Sequence, residues 1–252
     1  MKNFIRYLFL SLAAIAFIYP FLWMLSATLK PENEIGLLTL LPSRLTFASY
    51  TQLLAKIPIF RAFANSMFVS VSVVTSVLFF ASMTGFALSR LEFRGRRSIL
   101  TLVLLTLVLP FQLTLIPLYI LMVKLGWVDT YLALIVPYGI NAFSILLFTQ
   151  AFKSIPQDVI DAARIDGAGE FQILYGIFWP LSVPAIVTVG IITFMGIWNE
   201  VLWPILVVRD TDSMVMLQLV TLFVIGGGAE NQLGVQLAAA TLLALPIIIT
   251  YP

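Results

Sequence analysis

The residues best suited to chemistry or to charged recognition fall in one segment, 161-DAARIDGAGEF-171. Four acids (Asp158, Asp161, Asp166 and Glu170) stand close together with Arg164 among them, separated by alanines and glycines. Carboxylates so grouped can make charge-assisted hydrogen bonds, most readily to arginine, and small neighbours let another surface come close. The rest of the chain narrows what that chemistry can be. There is no histidine and no cysteine, which removes thiolate nucleophiles, disulfides, Cys/His metal sites, Ser-His hydrolases and histidine proton relays together. No G-x-x-x-x-G-K-[ST] phosphate loop and no H-E-x-x-H pair occurs. The segment reads as a recognition surface, and no catalysis is expected in this polypeptide.

The elements that must position it are apolar. Hydrophobic residues make up 61% of the 252 and charged residues 10%, against about 25% charged in a soluble domain. Mean hydropathy is +1.04. Most of the surface therefore faces something other than water, and an all-α, polytopic membrane protein is expected. A net charge of +2 gives no reason to expect nucleic acid. A helix crossing the hydrocarbon needs about 20 apolar residues, and runs of that kind lie at 4–29, 61–89, 98–123, 131–152, 181–208 and 233–252. The first is too long for a signal-peptide core and is expected to be retained. The last ends without a polar anchor, so the natural chain is expected to continue beyond Pro252.

Lys and Arg set the orientation. Lys2, Arg6, Arg90, Arg94, Arg96, Arg97, Lys153 and Arg164 fall on one side of such a six-span chain, and Lys30, Arg44, Lys56, Arg61, Lys124 and Arg209 on the other. The dense cluster at 90–97 lies in a short link and decides the matter: the N-terminus and the acidic segment at 153–180 are expected in the cytoplasm of a bacterial-type cell. Outside, 30–60 is expected to hold short helices, and 226-GGG-228 a flexible turn.

Within 153–180, Ser154 and Gln157 fit a capping box, and Pro156 a first helical turn. A helix over 155–166 would bring Val159, Ala162, Ala163 and Asp166 to one face, with Gly167 ending it in a left-handed cap. Two uses remain open on residues alone. The helix could dock on another protein, or lie amphipathically on lipid headgroups. Interfacial helices favour basic polar faces, and this one is acidic.

Three stretches carry a resemblance. DAARIDGAGEFQILYGIFWPLSVPAI, through Asp161, Ala162, Ala163, Asp166, Gly167 and Pro180, resembles the EAA loop of ABC-importer permeases, with Asp161 where glutamate is usual. ITFMGIWNEVLWPILVV (192–208) resembles a signature of carbohydrate-importer permeases, the group that includes the maltose transporter. NSMFVSVSVVTSVLFFASMTGFALSRLEFRGRR (65–97) is similar to another block of that group. The resemblance implies a type I ABC-importer permease fold and the shorter of two paired permeases. It implies a second permease subunit, a pair of ATP-binding subunits and an extracytoplasmic sugar-binding protein as partners. ATP and magnesium would be bound by the partner ATPase, with no cofactor in this chain. In that reading Asp161, Ala162, Ala163, Arg164, Asp166 and Gly167 belong to the helix that couples to the ATPase.

Polar residues inside the apolar runs are candidates for the transport path. Glu200, beside Trp198, Asn199 and Trp203, could wall that path or touch a partner; equally it could pair with Arg209 or Lys124 near the outer interface. Asn141, with Ser144, could line the path or bond to a neighbouring helix. Gln112 and Thr114 lie between Pro110 and Pro117, a doublet expected to kink the helix, and broken helices often line transport sites. The Ser/Thr series Ser66, Ser70, Ser72, Thr75 and Ser76 suits close helix packing. Glu200 is the one clear acid inside a run, which argues against the alternative of an ion-gradient-driven transporter of a small polar solute. No paired-Asp or Ser-Lys arrangement supports an intramembrane enzyme. A scaffold or assembly factor is a further alternative.

Overall fold

The computed structural model describes residues 2–37, 39–230 and 232–250. Among the described residues it contains helices, turns and no strand. Two of the expected apolar runs are long unbroken helices. α1, Lys2–Ala27, is apolar on all sides and scarcely buried within the chain. α2 is a short helix, Ala48–Lys56, and α3 is Ile59–Arg90, of 32 residues. At about 1.5 Å per residue α3 reaches roughly 48 Å, more than the hydrocarbon needs.

The next three runs are each bent. α4, Arg96–Val108, meets Phe111–Leu125 at 98°. Pro110 forces Leu109 into extended backbone (ψ 116°), and a 3₁₀ turn, Phe111–Thr114, leads into α5, Leu115–Leu125. This is the kink expected from the proline doublet. Tyr131–Tyr138, which starts as α6 (Tyr131–Ile135), meets α7, Ala142–Lys153, at 43°. The acidic segment supplies α8, Gln157–Ile165. α9, Glu170–Ile173, then continues through a π-turn, Leu174–Phe178, into α10, Trp179–Leu181. That run turns through 85° into α11, Val183–Trp198. Pro180 and Pro184 flank the corner at Ser182.

The fifth run, expected over 181–208, is interrupted again at 199–201 before α12, Leu202–Val207. The stretch 209–232, between the fifth and sixth runs, contains a helix, α13, Met216–Ile225, because MLQLVTLFVI is almost continuously apolar. The GGG turn follows it, with Gly227 at φ +77°. α14, Leu233–Thr250, occupies the sixth run; positions 251–252 lie outside the described residues. The outer segment 30–60 holds a 3₁₀ turn, Glu32–Glu34, and α2, as its composition suggested.

Residues up to Phe63 and from Met216 onward form one compact unit, and Ala64–Val215 another. In the first, α14 packs on α1 and α2. The Glu32 carboxylate accepts the Gly234 N–H at 3.2 Å, and Lys56 Nζ donates to the Gly228 carbonyl (2.9 Å) and Gln232 Oε1 (2.6 Å). In the second, α3 presents buried Val69, Val73, Val77 and Ala81 at every fourth position. Asn65 near its start is fully engaged: its Nδ2 donates to the Asp212 and Met214 carbonyls, both at 2.9 Å, and its Oδ1 accepts from Tyr131 Oη at 2.8 Å. Gly85 continues the α3 stripe where α7 comes closest. A Cβ there would stand 2.6 Å from Phe148 Cβ and 3.0 Å from the Thr149 backbone nitrogen. Gly85→Leu should therefore force α3 and α7 apart and cost about 1–3 kcal/mol, read as a lower midpoint of thermal unfolding in detergent. Gly176→Ala, at a site with open space around it, should leave that midpoint nearly unchanged.

Candidate functional site

The acidic segment folds into a short helix with a buried side and an exposed side. α8, Gln157–Ile165, begins two residues later than the sequence suggested. The expected Ser154–Gln157 capping box does not form. Ser154 Oγ instead donates to the Ala151 carbonyl at 2.7 Å, Pro156 occupies the N-cap, and Gln157 Nε2 donates to Asp161 Oδ1 at 3.0 Å. The expected face of Val159, Ala162, Ala163 and Asp166 is also divided. Ile160 and Ala163 are buried, Val159 is half-buried, and Ala162 and Asp166 point outward. The period was right but its phase was set by Ile160, the larger apolar anchor. The exposed side thus carries Asp158, Asp161, Ala162, Arg164, Ile165 and Asp166. Ile165 is 86% exposed, an apolar residue amid acids, and sequence reading passed it over.

Gly167 ends the helix as expected, at φ +83°; its N–H bonds the Arg164 carbonyl at 3.0 Å, and the Ala168 N–H bonds that of Ala163 at 2.9 Å. Arg164 Nη2 pairs with Glu170 Oε1 at 2.9 Å, bridging the turn. Gln172 Oε1 accepts the Gly169 N–H at 2.8 Å and starts α9.

Arg90, in the last turn of α3, ties this segment to the rest of its unit. Its guanidinium donates from Nε to the Phe152 carbonyl at 3.2 Å and from Nη2 to the Phe152 and Ile155 carbonyls; Nη1 donates to Gln157 Oε1 at 3.2 Å. It also lies 5.6 Å from the centre of the Phe178 ring. Below it, Phe152 and Phe86 pack edge-on against Phe178 at 5.2 and 5.0 Å, and Phe148 lies 5.4 Å from Phe152. One planar cation thus adds to the backbone N–H bonds on the Phe152 carbonyl, takes up the Ile155 carbonyl and holds Gln157, which in turn holds Asp161. The sequence offered Arg90 only as one of a cluster of topology-setting charges. Its sole distinguishing sign was its place at the end of the long run.

The candidate path residues meet at interruptions in the bent helices. Asn141, in extended backbone, caps α7 by accepting the Ser144 N–H at 2.9 Å. Glu200 caps α12: its Oε1 accepts the N–H groups of Leu202 (2.8 Å) and Trp203 (3.1 Å). Of the two alternatives for Glu200, the pairing with Arg209 or Lys124 is not present among the described residues. The carboxylate answers a helix N-terminus instead, and the Arg209 N–H bonds Asp129. Asn199 turns back to the Met195 carbonyl at 2.8 Å. Trp198 is buried and stacks on Phe194 at 5.6 Å, and Trp203 is wholly buried with Nε1 on the Ala133 carbonyl at 2.8 Å.

Asn141 and Glu200 line one cleft of about 320 Å³, with Tyr138, Ser144, Thr193, Gly196 and apolar side chains. Tyr138, which sequence reading missed, also borders a second cleft of about 650 Å³ beside Phe111 and Thr114 at the α4–α5 bend. Its ring lies 5.3 Å from that of Phe111, and its buried hydroxyl has no partner among the described residues. Gln112 is exposed and borders neither cleft, because the 3₁₀ turn directs Phe111 and Thr114 there. Among the described residues no cluster of acids could hold a metal ion.

Residues 77–251, more than half of the chain, match the family described as the binding-protein-dependent transport system inner membrane component. The chain belongs to this family. It is 34% identical over 247 residues to the arabinooligosaccharides transport system permease protein AraQ of Halalkalibacterium halodurans, covering 95% of this chain and 88% of that protein. To the lactose transport system permease protein LacG of Rhizobium radiobacter it is 29% identical over 253 residues, covering 100% and 91%. A crystal structure of a bacterial ABC transporter involved in the import of the acidic polysaccharide alginate shares the fold. The TM-score is 0.87 at 24% identity, covering 100% of this chain and 94% of that one.

The chain is thus a multi-pass inner-membrane permease of an ABC importer, with the type I fold expected for it. The ion-gradient alternative gives way to this assignment. In the permease, α8 is an exposed acidic helix fixed from behind by one arginine. Arg90→Gln should leave the Phe152 and Ile155 carbonyls under-satisfied, at about 1–3 kcal/mol. Hydrogen exchange at the amides of 157–166 should speed up well before global unfolding, and Arg90→Lys should recover only part of the protection.

Proposed function

We propose that this permease imports a sugar, an oligosaccharide or disaccharide, and that α8 is the surface through which a separate ATPase drives it. The observation that carries the reading is the one-sided build of α8. Its outer side is acidic, with small Ala162 and protruding Ile165. Its inner side is tied through Arg90 and Gln157 to the ends of α3 and α7. Such a surface suits an arginine-bearing cleft on a partner. The sugar assignment is supported by relatives named for arabinooligosaccharides, lactose and diacetylchitobiose, and by the W-N-E stretch. An aromatic beside hydrogen-bonding groups, as with Tyr138, Asn141 and Glu200, suits a ligand with apolar ring faces and hydroxyl edges.

In this reading the chain is half of a pore completed by a second permease. A binding protein delivers the sugar outside, and two ATP-binding subunits, which alone hold ATP and magnesium, sit on the cytoplasmic side with the N-terminus. Closing of the ATPases on ATP displaces α8. Because Arg90 joins α8 to α3 and α7, those helices follow, and the cleft at the helix interruptions opens outward. Sugar enters it, and hydrolysis resets the assembly. Asp161, Ala162 and Asp166 face the ATPase; Arg164 braces the turn through Glu170; Ala163 packs inward; Gly167 sets the direction in which the chain leaves the helix. Asn141 and Glu200 shape the path by holding open helix ends in place, with Trp198 and Asn199 bracing the same break.

Asp161→Lys reverses the charge on the outer side without touching the buried one. Uptake of labelled sugar into proteoliposomes holding the whole transporter should fall to background, while membrane insertion stays intact. Gly167→Val should do the same, since a β-branched residue at φ +83° is strained by about 1–2 kcal/mol or more. Normal uptake by both variants would refute the coupling role of α8.

A further inference from the structure

Outside the transport path, the most unusual charge arrangement lies at the start of α4. Arg96 and Arg97 are its first two residues, the end of a helix where the dipole disfavours cations. No acid occupies the first turn, and the N-cap is Gly95, in left-handed backbone (φ +91°) without a side chain to cap the open N–H groups. Lys153, in the last turn of α7, stands beside them because α4 and α7 pack together. These three cations, with Gly95, Ser98 and Phe93, line a cleft of about 500 Å³. None makes an ion pair among the described residues. Arg96 donates to the Leu88 (2.9 Å) and Ser89 (3.3 Å) carbonyls and keeps its charge. The nearby Glu92 is exposed and does not line the cleft.

Lys153 has an ordinary explanation, since a cation suits the C-terminal end of α7. Arg96 and Arg97 belong to the topology-setting cluster, but as the first residues of α4 they sit where the helix dipole opposes them. A bound anion resolves both oddities at once: it offsets the cations and accepts the open N–H groups. The apolar surroundings say which anion. No residue of α4 is buried within the chain; Ile99 and Leu102 border the cleft of about 650 Å³, while Leu104, Leu105 and Val108, outside it, are 46%, 56% and 78% exposed. In an inner-membrane protein that places an uncovered apolar helix directly below a basic pocket, the layout of a phosphate with attached acyl chains.

We propose that the cleft formed by Arg96, Arg97, Ser98 and Lys153 binds the phosphate of an anionic phospholipid, with its chains along α4. The lipid would brace the link between α3 and α4, whose α3 end also carries Arg90. The site therefore couples membrane composition to the position of α8. Its existence rests on the cleft and not on the identity of the transported solute.

The test uses the whole transporter, extracted from membranes and reconstituted in nanodiscs of mixed phosphatidylglycerol and phosphatidylcholine, with bound lipid measured by native mass spectrometry. Wild type should retain phosphatidylglycerol preferentially. Arg97→Gln with Lys153→Gln should lower that preference roughly 30-fold, on the basis of about 1 kcal/mol per cation near an anionic surface. Lys124→Gln, a cation at the end of α5, should leave it unchanged. Ser98→Asp keeps the first turn of α4 helix-compatible but repels phosphate, and should also abolish the preference, so the test survives poor assembly of the double variant. Unchanged preference in Ser98→Asp, or equal loss in Lys124→Gln, would overturn the proposal. So would protection of Arg97 from arginine-specific modification by inorganic phosphate as good as that given by phosphatidylglycerol vesicles, which would mark a free-phosphate site.

Discussion

The arrangement depends on a single guanidinium. At the foot of α3, Arg90 meets the carbonyls of Phe152 and Ile155, the amide oxygen of Gln157 and the face of Phe178. A carbonyl at a helix end left without a partner costs about 1–3 kcal/mol when shielded from water, and α7 has no glycine cap to close it. Arginine alone offers a planar set of donors wide enough to reach both carbonyls and the glutamine together. The acidic helix therefore inherits its position from a residue far away in sequence, and the aromatic group of Phe86, Phe148, Phe152 and Phe178 keeps that residue from swinging free.

A second constraint runs through the apolar part of the same unit. Each bend in a helix exposes backbone groups that lipid cannot satisfy, and at the breaks around 139–141 and 199–201 nearby side chains answer them. Asn141 accepts at the start of α7, and Glu200 accepts at the start of α12. Ser76 Oγ donates to the Gly139 carbonyl at 2.9 Å across from α3. The polar residues that looked like path residues are first of all repairs to interrupted helices. The interruptions also create the clefts that Asn141 and Glu200 line.

Much of this was legible in the sequence. Apolar run lengths marked the helices, Pro110 and Pro117 marked a bend, and Gly167 marked the end of α8, since each acts through local backbone chemistry. The break at 199–201 was not legible, because no proline or glycine falls in 199-NEV-201 and its cause is a capping carboxylate that could equally have formed a salt bridge. The phase of α8 was misjudged because a short helix with few apolar residues offers two nearly equivalent faces, and only tertiary packing chooses Ile160. Tyr138 gave no signal at all: one tyrosine in an apolar run is ordinary, and its importance comes from the three interruptions that converge beside it. Arg90 and the basic cleft share that character, for both arise where distant segments meet.

The contact at Gly85 adds a mechanical consequence. With the α3 backbone so close to Phe148 and Thr149 that no methyl group fits between, side chains on either helix interlock and axial sliding is blocked. Tilting about the point of contact is not. Gly85 lies within two helical turns of Arg90, so the crossing works as a fulcrum placed near the Arg90 end. A short throw at that end is then magnified along the remaining length of α3, the geometry of a lever with unequal arms.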